Sequence, residues 1–223
     1  PHHENEIAQS ECASDHKFTN YWMHSGLLKI NGEKMSKSLS NFAMLKDLFA
    51  SYHPEVIRYY LISSHYRSSL NFDNESLDQA RSALTRLYQA ISVAPSQESD
   101  LHDDSVKEFI HSMNDDLNTP EALSTLFGLA KLINSSQDAQ DQSMYASTMR
   151  ELGKVLGLLN DSSEAFLQYG AKLTDEEISK KIDERNQARD NKDFQKADQI
   201  RDELAAQGIL LDDSSDGTSW KKS

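Results

Sequence analysis

Apolar residues recur at helical spacing through most of this chain, and the exceptions lie near its two ends. Residues 2–14 read as a short helix with Ile7, Ala8 and Cys12 on one side. Residues 18–30 hold Phe18, Tyr21, Trp22, Leu27, Leu28 and Ile30, a β-favouring set that predicts at least one strand before an Asn31-Gly32 turn. A helical pattern resumes at Ala43 with Leu45, Leu48 and Phe49. It stops near His53, because a proline disfavours helical geometry in the residue before it. Pro54 suits the opening of the next helix, with Val56, Ile57, Tyr60 and Leu61 inward. Asp73 or Asn74 then caps a longer helix carrying Leu77, Ala80, Leu84, Leu87, Tyr88 and Ile91.

Residues 93–100 read as a linker. Helices are expected over 103–115, over 120–135 with Thr119 as cap and Pro120 at the first helical position, and over 140–158, where Leu152, Val155, Leu156, Leu158 and Leu159 pack. A second linker covers 160–173. Thr174-Asp175-Glu176-Glu177 is a capping box, and its helix runs to Asp190. A last helix spans 193–207 with Phe194, Ala197, Ile200 and Leu204 as its apolar stripe and Gly208 as its stop. Residues 209–211 form a strand candidate, with 218–220 to pair with it. The expected fold is mainly α with small α/β parts.

Composition narrows the function. The 223 residues carry 23 Lys+Arg against 36 Asp+Glu, a net charge of −13, with 37% hydrophobic and 26% charged residues, as in a soluble globular protein with a lean core. No apolar run approaches the roughly 18 residues that span a bilayer, so no membrane role is expected. The single cysteine, Cys12, excludes an internal disulfide framework and suits a reducing, cytoplasmic setting. Pro1-His2-His3 is neither an initiator methionine nor a signal peptide, and a C-terminal part of a longer chain is expected. The charge is uneven. Residues 17–67 hold seven basic residues to three acidic, 68–170 hold six to sixteen, and 171–223 hold ten to thirteen. Overall acidity speaks against a general nucleic-acid binder but leaves room for local contact at the first and last of these segments.

Lys34-Met35-Ser36-Lys37-Ser38 places two lysines three apart on a hydroxyl-bearing loop, a set suited to polyphosphate and equally found on solvated surface. His2 and Glu6, at i and i+4, share one helix face and suit a shared Zn²⁺; a solvated helix end would look the same. A gluzincin reading fails, since position 7 is Ile7. Cys12 is expected to be a packed thiol. His24, His53 and His65 are expected to pack or bond locally, Arg67 to approach RNA or close a salt bridge, and Asp115-Asp116 to cap a helix and face the next helix's positive end.

The KMSKS string is the signature loop of class I aminoacyl-tRNA synthetases, and the chain resembles the cysteinyl-tRNA synthetase family along its length. The blocks are Pro1 to Ser10, Tyr21-Trp22-Met23-His24, Gly32 to Leu39, Pro54 to Tyr60, Ser64 to Ser68, Asp115 to Leu123, and Gly217 to Lys222. The resemblance implies the end of a Rossmann-type catalytic domain with a zinc half-site and KMSKS loop over 1–43. It implies a helical stem-contact region over 44–95, a helical bundle over 96–165 and a small anticodon-binding domain over 172–223.

It further implies ATP-dependent attachment of L-cysteine to tRNA(Cys) through cysteinyl-adenylate, with ATP as its Mg²⁺ complex. Lys34 and Lys37 would hold the phosphates, Lys37 most directly. His2 and Glu6 would be two ligands of one Zn²⁺ whose remaining ligands, cysteines, lie upstream, as does the family's HxGH-type ATP motif; this chain alone is then expected to be inactive. Arg189, Asp198, Asp213, Trp220, Lys221 and Lys222 would contact the tRNA, and a monomer is expected. Two rivals stand beside this reading: a cysteine–amino sugar ligase of the same superfamily, which would lack the 174–222 segment, and a non-catalytic helical tRNA-binding module.

Overall fold

Capping side chains decide where most helices begin. The computed structural model describes residues 1–30, 32–34, 45–95, 99–171, 173–214 and 217–222. In chain order its elements are α1 (His2–Ser14), β1 (Leu28–Ile30), β2 (Glu33–Lys34), α2 (Leu45–Leu48), α3 (Pro54–Ile62), β3 (Leu70–Phe72), α4 (Asn74–Val93) and α5 (Asp103–Asn114). Then follow α6 (Thr119–Ser135), α7 (Ala139–Leu156), α8 (Ser163–Gln168), α9 (Asp175–Asp190), α10 (Phe194–Ala206), β4 (Ile209–Ser214) and β5 (Gly217–Lys222). Asp73 caps α4 by accepting from the Ser76 amide at 2.7 Å. Thr174 and Glu177 form the reciprocal capping box that the sequence predicts. At α6 the cap is Asn118, one residue earlier than expected; Thr119 is inside the helix and its hydroxyl donates to the Ile62 carbonyl at 2.7 Å. Among the described residues no helix is long and apolar enough to cross a membrane.

The expected strand in the aromatic run shrinks to β1. It pairs antiparallel with β2 (Lys29 opposite Lys34) and parallel with β3 (Lys29 opposite Asn71). Gly32, at φ 82°, makes the turn between β1 and β2. A second glycine is required by space: a Cβ on Gly26 would lie 2.0 Å from the Ser68 carbonyl oxygen, and the Gly26 amide donates to Tyr66 O at 2.7 Å.

The main core joins α3, α4, α6, α7 and α8. Leu77, Leu84 and Leu87 on α4 are sealed against Leu126, Leu129 and Ile133 on α6 and Met149 on α7. Leu45 and Phe49, of the expected apolar set at α2, are exposed at 58% and 40%, and four more positions depart from the expected pattern. Leu61 is exposed and Tyr59 is buried in its place, because α3 packs on α4 along the Val56–Tyr59–Tyr60 side. Val155 is 64% exposed, on the outer side of α7 from the stripe Met149, Leu152 and Leu156. Phe194 opens α10 facing water, off the stripe Ala197, Ile200 and Leu204. Cys12 is exposed rather than packed, since α1 buries no residue at all. The 160–173 stretch also contains a helix, α8, whose Phe166 stacks on Tyr88 at 4.2 Å; fewer than two turns leave no period to read.

One carboxylate is sunk into this core. Glu55, 6% exposed, accepts from Tyr88 Oη (2.8 Å), the Leu159 amide (2.8 Å), the Asn160 amide (2.9 Å) and Asn160 Nδ2 (3.3 Å). Nearby, Arg58 Nε donates to the Leu156 carbonyl, while His53 accepts from the Glu55 amide and holds Asp161 at 2.9 Å.

A smaller core, formed by Ile178, Ile182, Ile200, Leu204 and Ile209 with Leu211 and Trp220 against it, unites α9, α10 and the β4–β5 hairpin. Residues 218–220 pair with β4 as expected, but opposite 211–213 rather than 209–211, because β4 runs on to Ser214; Trp220 lies opposite Leu211. Arg185 is 5% exposed and grips Asp213 with both Nη atoms, at 2.9 and 2.6 Å; Arg189 (3.0 Å) and Thr218 (2.8 Å) add to the same carboxylate. The Arg185 bond, then Thr218, holds the Asp213 carboxyl well below the usual carboxylate range.

Two outcomes follow. Glu55→Ala strands Tyr88 and two amides in a dry site and is expected to cost about 3 kcal/mol in urea unfolding; a loss under about 1 kcal/mol would show the carboxylate to be dispensable. The depressed Asp213 pKa contributes stability that is complete above the unfolded value near about 4 and is lost as pH falls toward the folded one. Asp213→Asn is therefore expected to lower the Tm at pH 7 and to flatten its decline below about pH 4, and an unchanged acid limb would contradict this linkage.

Candidate functional site

Two regions collect the residues singled out by the sequence. In the first, α1 sets His2 and Glu6 one turn apart, with His2 Nε2 3.3 Å from Glu6 Oε1 and both side chains open to water. The chain after α1 folds back on it. Asp15 ends the helix at φ 56°, and Glu11 accepts from the Phe18 amide at 3.2 Å. The aromatic run, expected to be strand, instead delivers rings: His3 lies 5.1 Å from Trp22 and 4.9 Å from His24, and Phe18 5.8 Å from Trp22. His24 Nε2 approaches His3 Nδ1 at 3.5 Å, a local contact of the kind expected for it. His3, which in sequence figured only in the failed gluzincin pattern with Glu4, is thus the centre of this ring cluster.

Lys34 ends β2, and the turn before it is moored from across the sheet, where the Gly32 amide donates to Asn71 Oδ1 at 2.6 Å. Met35, Ser36, Lys37 and Ser38, the rest of the lysine loop, lie outside the described residues.

The second region is the α9–α10–hairpin unit. It brings Arg189, Asp198 and Asp213 together, since Arg189 bonds Asp213 and Asp198 adds its field at Arg185. Arg185 was not foreseen. Nothing in its charged surroundings on α9 signals burial, and the only hint is its spacing of three from Ile182. Its bonds to Asp213 raise its pKa above the ordinary guanidinium value. Trp220 packs half-buried against the small core and also faces a cleft of about 560 Å³ shared with Ser163 and Leu167 of α8. Lys221 pairs with Leu210 across the hairpin, and Lys222 Nζ stands close to where a Cβ on Gly170 would lie.

Between the two regions, Arg67 closes a salt bridge with Asp116 (2.8 Å) and lies 5.4 Å over the Tyr66 ring. Asp116 faces Arg67, Tyr66 (2.7 Å) and His65, rather than the start of α6 as expected. The Tyr66 bond, ahead of Arg67, lowers its pKa.

The description "tRNA synthetases class I (C) catalytic domain" matches residues 1–82, and "DALR domain" matches 108–160. A Cysteine--tRNA ligase of Hydrogenovibrio crunogenus is 47% identical over 226 residues, covering 100% of this chain and 49% of its own. That of Legionella pneumophila (strain Corby) is 49% identical over 227 residues, covering 100% and 48%. That of Proteus mirabilis is 48% identical over 229 residues, covering 100% and 50%. The chain thus spans about half the length of the curated relatives it matches. The solved ternary complex of Agrobacterium radiobacter K84 agnB2 LeuRS with tRNA and LeuAMS covers 60% of the chain and 20% of its own, at TM-score 0.47 and 16% identity, a likeness too slight to carry an argument. Identity of nearly one half along the whole chain, with both family descriptions matched in order, establishes that it belongs to the cysteine-tRNA ligase family of class I synthetases.

Proposed function

We propose that the full-length protein joins L-cysteine to tRNA(Cys) at the expense of ATP, through cysteinyl-adenylate, acting as a cytoplasmic monomer. The observation that carries this is the His2–Glu6 donor pair on α1 in the same chain as a KMSKS loop that begins at the end of β2, with the whole chain nearly half identical to Cysteine--tRNA ligases. In this reading residues 1–43 belong to the catalytic domain, 44–95 face the tRNA stem, 96–165 form the connecting bundle and 172–223 receive the anticodon.

The His2–Glu6 pair fits a zinc ion. One nitrogen and one oxygen donor are both ligands zinc accepts, and their 3.3 Å separation matches the edge of a tetrahedron with metal–ligand bonds of about 2.0–2.1 Å. No group of three or more His, Cys, Asp or Glu side chains gathers for a metal among the described residues; in this reading the remaining ligands are the upstream cysteines that the family resemblance implies. A bound zinc would offer the substrate thiolate a coordination position that a serine hydroxyl fills far more weakly, a basis for selectivity. Lys34 and Lys37 hold the phosphates of Mg²⁺-bound ATP while the cysteine carboxylate attacks the α-phosphorus and pyrophosphate leaves. Positioned ammonium groups offset the charge that builds there. At the far end Arg189 and Asp198 present hydrogen-bonding groups, Trp220 a stacking face and Lys221 and Lys222 positive charge to unpaired bases and phosphate, on a hairpin whose pairing Asp213 fixes.

In the full-length enzyme, His2→Ala is expected to abolish a zinc content of about one per chain and to raise the KM for cysteine sharply; unchanged metal content by atomic absorption would remove His2 from the site. Lys37→Ala is expected to slow pyrophosphate exchange by roughly 10²–10³-fold while cysteine binding by calorimetry barely changes. An equal loss in both would exclude a role confined to ATP.

A further inference from the structure

Between residues 68 and 170 the chain carries sixteen acidic residues against six basic ones. Yet one groove on this acidic body has no carboxylate in its wall. It runs between α4 and α6, encloses about 640 Å³, and has a floor of Ala90, Val93, Phe127 and Ala130 with Arg86 and Lys131 on its rim. The spacing builds it. Arg86, Ala90 and Val93 fall at i, i+4 and i+7 on α4, and Phe127 and Lys131 at i and i+4 on α6, so each helix offers an apolar face that ends in a cation.

The Arg86 guanidinium lies 5.3 Å from the Phe127 ring centre, which holds it over the groove. Among the described residues neither Arg86 nor Lys131 takes part in a salt bridge, whereas Lys107 and Lys154 on neighbouring helices do. Val93 is exposed, at 63%. The groove therefore leaves apolar surface and two cations together on a segment whose net charge is strongly negative.

We propose that this groove docks an acidic amphipathic peptide segment of a partner protein, its apolar side chains seated on Ala90, Val93, Phe127 and Ala130 and its carboxylates on Arg86 and Lys131. An RNA strand fits less well. Its affinity comes from many phosphate contacts, of which two rim cations supply few amid a strongly acidic body, and it makes no use of an apolar floor. A peptide helix needs only one or two carboxylates and a few apolar anchors. The aminoacylation reading gives residues 44–95, and so the α4 wall of this groove, to the tRNA stem as a region, and the test below separates a peptide from RNA.

The test uses the full-length protein and a fluorescein-labelled peptide of about four helical turns built of Glu and Leu at helical spacing. Fluorescence anisotropy is expected to show salt-sensitive binding that Arg86→Glu with Lys131→Glu weakens roughly tenfold or more. Lys107→Glu on α5 should leave it unchanged. A Lys–Leu peptide of the same pattern is expected not to bind, oligouridylate not to compete, and cysteine charging by Lys131→Glu alone to stay normal, since Lys131 is an exposed residue of the connecting bundle. No binding to the unaltered protein, binding indifferent to the double reversal, or equal binding of the Lys–Leu peptide would overturn the proposal. So would loss of oligouridylate binding on the reversal, or of tRNA charging by Lys131→Glu, which would hand the groove to RNA.

Discussion

The fold turns on a carboxylate that has no water to rely on. Glu55 is buried at the start of α3, and an ionised group there is tolerable only if its oxygens are bonded throughout. That requirement brings three separate parts of the chain to one point: Tyr88 from the middle of α4, and the amides of Leu159 and Asn160 beyond α7. To aim its amide, Leu159 takes a left-handed conformation at φ 59°, a conformation that costs a non-glycine residue about 1–2 kcal/mol. The charge also sits in the first turn of α3, where the helix N-terminus favours it. His53 and Arg58 on either side grip Asp161 and the Leu156 carbonyl, so α3 clasps the turn after α7 with three polar side chains in a row.

Rigidity runs from that clasp to the lysine loop. Past α3, Tyr66 O accepts from Gly26, and the Leu70 amide donates to Leu27, which lays β1 beside β3. Asn71 on β3 then holds the Gly32 turn, and β2 delivers Lys34. A parallel tie secures the same stretch to the bundle. Asp116 and Leu117 both adopt left-handed backbone, at φ 51° and 56°, and His65, Tyr66 and Arg67 converge on Asp116. Two adjacent strained residues persist only where surrounding contacts over-determine them, and here these contacts come from the segment that supports β1. The hairpin leading to Met35 is thus braced from two sides, while α1 with His2 and Glu6 buries nothing.

How much of this could be read beforehand depended on whether the signal was local. Helices of three turns or more, such as α4 with its Leu77-to-Ile91 stripe, declared themselves through periodicity, and Thr174 with Glu177 marked a start through capping chemistry alone. The candidate residues His2, Glu6, Lys34 and Lys37 stood out as strings, because i,i+4 spacing and a motif both live in nearby residues. What escaped was tertiary. Glu55 and Arg185 look like ordinary surface charges until partners 104 and 28 residues away arrive. Phe194 and Val155 match an apolar pattern, but no element packs over them. The rings of Phe18 and Trp22 favoured a strand by type and instead joined His24 in a cluster over α1 through contacts no propensity records.

Arg185 shows why a charge buried in the end unit matters for the surface it offers. A two-stranded hairpin on its own holds its register weakly, and a slip of one residue would turn every side chain of β5 to the opposite face. The two-pronged bond from Arg185 to Asp213, doubled by Thr218 from the opposite strand, admits one pairing only, with Asp213 across from Thr218. That pairing sets Trp220 opposite Leu211 and against the small core, and it puts Lys221 on the other face from its neighbours Trp220 and Lys222. Because Asp213 spends its acceptor capacity inside the unit, its effect on the surface is indirect. It decides which way the tryptophan and the lysines point, and so which chemistry the end of the chain can present.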